Sequence, residues 1–203
     1  MKKIAIYGGS FDPPHIGHKA LAENLAKACS ADKVIIVPTA MSPFKDKSGA
    51  AAEDRLEMCR LTFCEDLFTV SDIEINRGGK SYTVDTVRAV KEMYPDSQLY
   101  LFMGDDMLLS FHRWYEYRTI MSMCTLVAAC RTENLSELDA MREYAGEMLG
   151  DDGTGVMICS NVPVEISSTE IRAQLSAEGE SKMLLPKVNE YIKLRGLYRE
   201  QGC

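Results

Sequence analysis

Short apolar runs alternate with stretches of helical spacing along the whole chain. Residues 4–7 form an apolar run that ends at Gly8-Gly9 and predict a buried strand. Residues 19–29 place Leu21, Leu25 and Ala28 on one helical face. Residues 34–37, Val-Ile-Ile-Val, read as a second buried strand closed by Pro38. Helical spacing returns over 53–63, with Leu56, Cys59, Arg60 and Phe63 in register. Residues 68–75 alternate and predict a strand, and 83–93 predict a helix that stops before Pro95. Further strands are predicted at 99–103, running into Gly104-Asp105-Asp106, and at 126–130 and 156–159. Residues 134–149 read as an acidic amphipathic helix and 150–155 as a loop, both on the solvated surface.

Strands that alternate with helices argue for an α/β fold: a Rossmann-like open, mostly parallel sheet with helices on both faces. Such sheets bind ligands beyond the carboxyl ends of their strands, so the loops after Tyr7, Val37, Met103 and Cys159 are expected to converge. The length of 203 residues fits a single domain, 1–203, with a helical C-terminal part from about 165. The balance of 46% hydrophobic and 26% charged residues is that of an ordinary globular protein. A net charge of -7 argues against a general nucleic-acid surface. No apolar stretch is long enough for a membrane span, and the start is too short in apolar residues for a signal peptide. The seven cysteines include no CxxC pair, which points to a reduced, cytoplasmic protein without a readable zinc or redox motif.

Two of the three histidines fall in YGGSFDPPHIGHKA, residues 7–20. Gly8 and Gly9 are expected to take backbone angles closed to other residues. The helix start that follows offers unpaired N–H groups to an anion. His15 and His18, three apart, share a face and can each donate to a phosphate oxygen, with added charge if protonated. Neither GxGxxG nor GxxxxGK[ST] is present. Metal ligation by the pair, or a glycine turn with two solvent-facing histidines, are the other readings of these residues. A second motif, ISSTEIR, spans 166–172. Ser167, Ser168 or Thr169 can cap a helix there with Glu170 in its first turn, and Arg172 adds a fixed charge for polyphosphate. A plain N-capped surface helix is the alternative.

The string GSFDPPHIGH resembles the nucleotidyltransferase pattern G-[ST]-F-D-P-x-[HT]-x-G-H. Its HIGH core also resembles class I aminoacyl-tRNA synthetases, but the chain has no room for tRNA-binding domains and no KMSKS loop; Ser181-Lys182-Met183 is not one. ISSTEIR is similar to the second signature of the nicotinamide/nicotinate mononucleotide adenylyltransferases. GGKSYTVDT at 78–86, LFMGDD with Gly104 and Asp106, and LPKVNEYIKLRGLY at 185–198 resemble further segments of that family. Trp114, the only tryptophan, falls where the family places an aromatic over the pyridine ring. The bacterial nicotinate type is the nearest match. Two departures stand out: Phe44 replaces the family's histidine in Pro43-Phe44-Lys45, and Arg131 is followed by Thr132 where proline is usual.

The resemblance implies adenylyl transfer from ATP to nicotinate mononucleotide, with Mg2+ delivered by ATP and no dedicated metal site. It implies that Gly8, Gly9, Ser10 and Phe11 approach the nucleotides, and that His15 and His18 hold ATP phosphates. Lys45 bridges the two reactants, Ser168, Thr169 and Arg172 hold the outer phosphates, and Ile166 and Ser167 belong to the ATP site. Gly104 and Asp106 meet a ribose; Tyr82, Thr83, Trp114 and Arg131 receive the mononucleotide. A buried core tryptophan is the plainer reading of Trp114, and His112 reads as a loop or surface histidine. Preference for the amide mononucleotide, and a non-catalytic dinucleotide sensor of the same fold, are the alternatives. Phosphopantetheine adenylyltransferases typically have threonine in place of His15 and lack the SYT and tryptophan features, which sets them aside. A cytidylyltransferase is set aside likewise. No nucleic-acid or membrane partner is expected, and a homo-oligomer is compatible with the sequence.

Overall fold

A computed structural model of the chain describes residues 1–41, 49–130, 135–150, 155–160 and 166–199. Along the chain run β1 (Lys3–Gly9), α1 (Ile16–Cys29), β2 (Lys33–Pro38), α2 (Ala52–Thr62), β3 (Phe68–Val70), α3 (Ile73–Arg77) and α4 (Thr83–Met93). Then come β4 (Gln98–Gly104), α5 (Asp105–Leu109), a 3-10 turn (Phe111–Arg113), α6 (Tyr117–Met123) and β5 (Thr125–Cys130). The remainder is α7 (Leu135–Leu149), β6 (Val156–Ser160), α8 (Ser168–Glu178) and α9 (Pro186–Arg195). The six strands lie in the order β3-β2-β1-β4-β5-β6, and β1/β4, β4/β5 and β5/β6 pair in parallel. This is the Rossmann-like α/β sheet that the alternation of strands and helices predicts. The strand order reverses at β1, and ligands in such sheets bind beyond the strand ends at that reversal.

Three local expectations need correction. The strand predicted over 68–75 ends at Val70, and α3 begins at Ile73. Ser71 and Asp72 are turn formers, and Ser71 Oγ accepts from the Ile73 N–H at 3.4 Å where the weak alternation would have continued the strand. Helix α1 starts at Ile16 rather than Lys19, which puts His18 inside the helix and His15 just before it. The stretch over 134–149 is not all solvated surface: Met141, Ala145 and Leu149 are buried at four-residue intervals.

The chain gathers into two compact units that interleave in sequence. The first comprises Met1–Gly8, Leu21–Ile35 and Tyr82–Pro163. Its core takes the apolar residues of β1, β4 and β5, with Val84, Val87 and Val90 of α4. The second comprises Gly9–Ala20, Ile36–Ser81 and Val164–Cys203. Its core joins Ala50 and Met58 to Ile171, Leu175, Leu184, Val188 and Ile192. Each aliphatic side chain buried there contributes about 1.5–3 kcal/mol, so the C-terminal helices build a true core. Helix α9 opens at Pro186 and closes on Gly196 at φ 65°, as proline at a helix start and glycine just past its end favour. It is tied to α2 by the buried Asp54 carboxylate, which accepts from Tyr191 Oη at 2.8 Å and Arg195 Nε at 3.0 Å.

Candidate active site

The turn after β1 is built on a strained residue. Phe11 has φ 47°, a conformation that costs a side-chain-bearing residue roughly 1–2 kcal/mol. Packing holds it there: its ring is buried edge-on against His18 at 5.1 Å and Phe63 at 5.9 Å. A Cβ on Gly9 would come within 3.1 Å of that ring. Close approach is therefore what Gly9 provides; neither Gly8 nor Gly9 takes the positive φ expected of them. Asp12 follows, buried, and organises the turn. Its carboxylate accepts from the Gly49 N–H at 2.6 Å, the Ala50 N–H at 3.1 Å and Tyr198 Oη at 2.6 Å. Burial and the adjoining carboxylate push the Tyr198 phenol far above its usual range, so it remains a neutral donor.

His15 and His18 stack with ring centroids 3.7 Å apart and planes tilted by 36°. The His15 main-chain N–H donates to His18 Nδ1 at 3.3 Å. That nitrogen must carry a lone pair, so neutral His18 bears its proton on Nε2. His15 is only 5% exposed, and its own Nδ1 is buried with no hydrogen-bond partner among the described residues. Burial lowers its pKa from 6.5 to about 4. His15 is therefore neutral at pH 7 in the unliganded protein and adds no positive charge of its own there. At the start of α1 the Ile16 N–H donates to Met183 O at 3.0 Å and the His15 N–H to His18, so two of the N–H groups near the helix start are already engaged.

The second motif arrives on the same turn. Ser167 is the cap of α8: its Oγ accepts from the Glu170 N–H at 3.2 Å, and Glu170 accepts from the Ser167 N–H at 2.8 Å. This reciprocal cap occupies two of the N–H groups predicted to face polyphosphate. Ser168 Oγ donates to Pro13 O at 3.0 Å across 155 positions of sequence. Arg172 Nη1 donates to Asp12 O at 2.7 Å, and its Nη2 to Thr169 Oγ1 at 3.1 Å. Ile166, half-buried, packs on the C-terminal core. A fixed guanidinium and a hydroxyl are therefore anchored beside the turn that carries the histidines.

In the other unit, β4 ends at Gly104 and α5 opens with Asp105 and Asp106. Asp106 is exposed, and its N–H donates to Asp105 Oδ1 at 2.8 Å. Trp114 follows the 3-10 turn, half-buried, with its ring 5.1 Å from the buried Phe111. It is no core tryptophan and keeps part of its surface open. Tyr82 is the extended residue before α4, whose start at Thr83 has no side-chain cap.

Residues 6–174 match the family model described as cytidylyltransferase-like. A probable nicotinate-nucleotide adenylyltransferase of Neisseria meningitidis serogroup B is 36% identical over 203 residues, covering 98% of this chain and 100% of that protein. The chain belongs to the nicotinate-nucleotide adenylyltransferase family. An Aquifex aeolicus member is 39% identical over 167 residues, covering 81% of this chain and 98% of its own. A solved Vibrio parahaemolyticus structure assigned to the family superposes with a TM-score of 0.66 at 25% identity, over 99% of this chain and 98% of that one. The Plasmodium falciparum nicotinic acid mononucleotide adenylyltransferase complexed with NaAD shares the fold, with a TM-score of 0.74 at 19% identity over 98% of each chain.

Sequence reading missed the residue that ties the turn after β1 to the segment after β2. Arg55, 2% exposed, donates Nη1 to Ser10 O at 2.7 Å and Nη2 to Thr39 O at 2.6 Å and Ala40 O at 3.3 Å. Its Nε reaches Ala50 O at 3.3 Å. Burial lowers its pKa, while the Asp12 carboxylate opposes the shift. Periodicity had set Arg60 on the apolar face, but Arg60 is exposed and pairs with Glu57. A charged residue reads as a solvated face, so no local signal marks Arg55. His112 is no free surface histidine either: its Nδ1 lies 2.6 Å from Tyr144 Oη. Lys45, Phe44 and Arg131 lie outside the described residues. Among the described residues, no group of three or more His, Cys, Asp or Glu side chains could hold a metal ion, and no helix is long and apolar enough to cross a membrane.

Proposed function

We propose that the protein transfers the adenylyl group of ATP to nicotinate mononucleotide, giving nicotinate adenine dinucleotide and pyrophosphate in NAD biosynthesis. One observation carries the reading: the stacked His15–His18 pair and Arg172 are fastened to the same Asp12–Pro13 turn. Relatives of matching length bear the corresponding name.

The acceptor phosphate is anionic at neutral pH and needs no general base. One of its oxygens bonds to the α-phosphorus of ATP while the bond to the bridging oxygen breaks, and that electron pair leaves on pyrophosphate. The barrier lies in aligning two anions and stabilising the charge that moves to the leaving group. His18 donates Nε2–H to a phosphate oxygen. His15, neutral when empty, has a buried Nδ1 suited to the same ligand, and arriving anionic oxygens raise its pKa. Arg172 and Thr169 hold the outer phosphates, with Ile166, Ser167 and Ser168 setting the helix that presents them. ATP enters as its magnesium complex, and the metal is part of the substrate. Lys45 bridges the reactants; Gly8, Gly9, Ser10 and Phe11 line their approach; Gly104 and Asp106 meet a ribose. Trp114 stacks on the pyridine ring, Tyr82 and Thr83 meet its carboxylate, and Arg131 completes the mononucleotide side.

Pyrophosphate release with ATP and Mg2+, comparing nicotinate and nicotinamide mononucleotides, tests the reading. A large preference for the acid is expected. Equal rates would remove carboxylate recognition at Tyr82 and Thr83, and no release with either would overturn the reaction.

A further inference from the structure

Glu116 stands two residues beyond Trp114 in a left-handed conformation, φ 51° and ψ 40°. A glutamate persists there only where its surroundings over-determine it. Its carboxylate accepts from Arg88 Nη2 at 2.5 Å, and hydrogen bonds with Tyr115 and Thr119 add to the hold. Arg88 belongs to α4 and is also 3.4 Å from Asp85. The Tyr115 ring lies 5.0 Å from that of Tyr82, the residue just before α4, with the planes tilted by 46°. One carboxylate therefore ties the segment carrying Trp114 and Tyr115 to α4, the helix that begins at Thr83 directly after Tyr82. Helices α4 and α6 pack on each other around this tie.

We propose that Arg88 and Glu116 are positioning residues that fix the Trp114–Tyr115 segment against the start of α4 and so set affinity for the mononucleotide. The consequence for binding rests on the proposed function, in which Trp114 and Tyr82 receive the pyridine ring. The tie itself does not. Side-chain exposures of 43% for Arg88 and 33% for Glu116 mean that such a pair adds little to folding stability. What it supplies is geometry: the placement of the Trp114–Tyr115 segment relative to the start of α4.

The full chain contains one tryptophan, so its emission reports Trp114 alone. Acrylamide quenching of the unliganded protein should rise in Glu116→Gln and in Arg88→Met and stay near the wild-type value in Arg88→Lys. In pyrophosphate-release assays, KM for nicotinate mononucleotide should rise about three- to fivefold in the first two variants, as loss of an exposed ion pair gives. The effect should fall on that KM rather than on kcat or KM for ATP, and Arg88→Lys should restore it. Unchanged quenching in both variants would overturn the tie. Raised quenching with unchanged KM would overturn its role in binding. Raised quenching in a protein that does not turn over either mononucleotide would leave the tie standing and refute the proposed function instead.

Discussion

Replacing His15 with asparagine removes a buried imidazole that the folded protein keeps neutral, and the cost of that burial is readable in acid. The folded pKa is about 4 against an ordinary value of 6.5. Between these values an unfolded chain binds a proton that the folded chain refuses, so stability rises with pH across the window. The contribution is complete above pH 6.5 and is lost as the pH falls through 4. At about 1.4 kcal/mol per pH unit, the window is worth roughly 3 kcal/mol. Carboxylates titrate in the same range, so the informative quantity is the difference between wild type and His15→Asn. Urea unfolding at a series of pH values from 4 to 7.5 should show the wild type gaining about 3 kcal/mol more than the variant as the pH rises. With only three histidines in the chain, proton NMR can follow each imidazole directly. A His15 resonance titrating near 6.5, or a stability difference constant over the range, would refute the reasoning. Saturating ATP with magnesium should move the His15 midpoint upward, since an anion beside the ring favours its charged form.

Two further outcomes test the scaffold. Tyr198→Phe deletes the hydroxyl that donates to the buried Asp12 carboxylate at 2.6 Å, and urea unfolding should show a loss of about 1.5–3 kcal/mol. Arg55→Met removes the guanidinium that donates to the carbonyls of Ser10, Thr39 and Ala40; a loss of at least about 3 kcal/mol is expected in the same assay, with a fall in kcat as the Ser10 turn relaxes.

The sequence by itself determined the elements wherever a local pattern was strong. The helix predicted over 83–93 is α4 residue for residue; the strands at 126–130 and 156–159 differ from the observed ones by a residue at one end, and that at 99–103 by a residue at each end. Alternation of strand and helix was enough for the sheet class, because crossover connections between parallel strands leave few alternatives. Where the pattern was weak, as over Ser71 and Asp72, side-chain bonding to nearby backbone decided otherwise. The two motifs were legible as residue types at fixed spacing. Their meeting was not: Arg172 and Ser168 reach the Asp12–Pro13 turn across more than 150 positions. Only the tertiary structure decided that Arg55 lies buried among carbonyls, that Asp12 is the hub of the turn, and that His15 is neutral. These are consequences of burial and of partners distant in sequence. Periodicity sees which face a residue occupies, but the free energy of a charge depends on what surrounds it, and that exists only once the chain has folded.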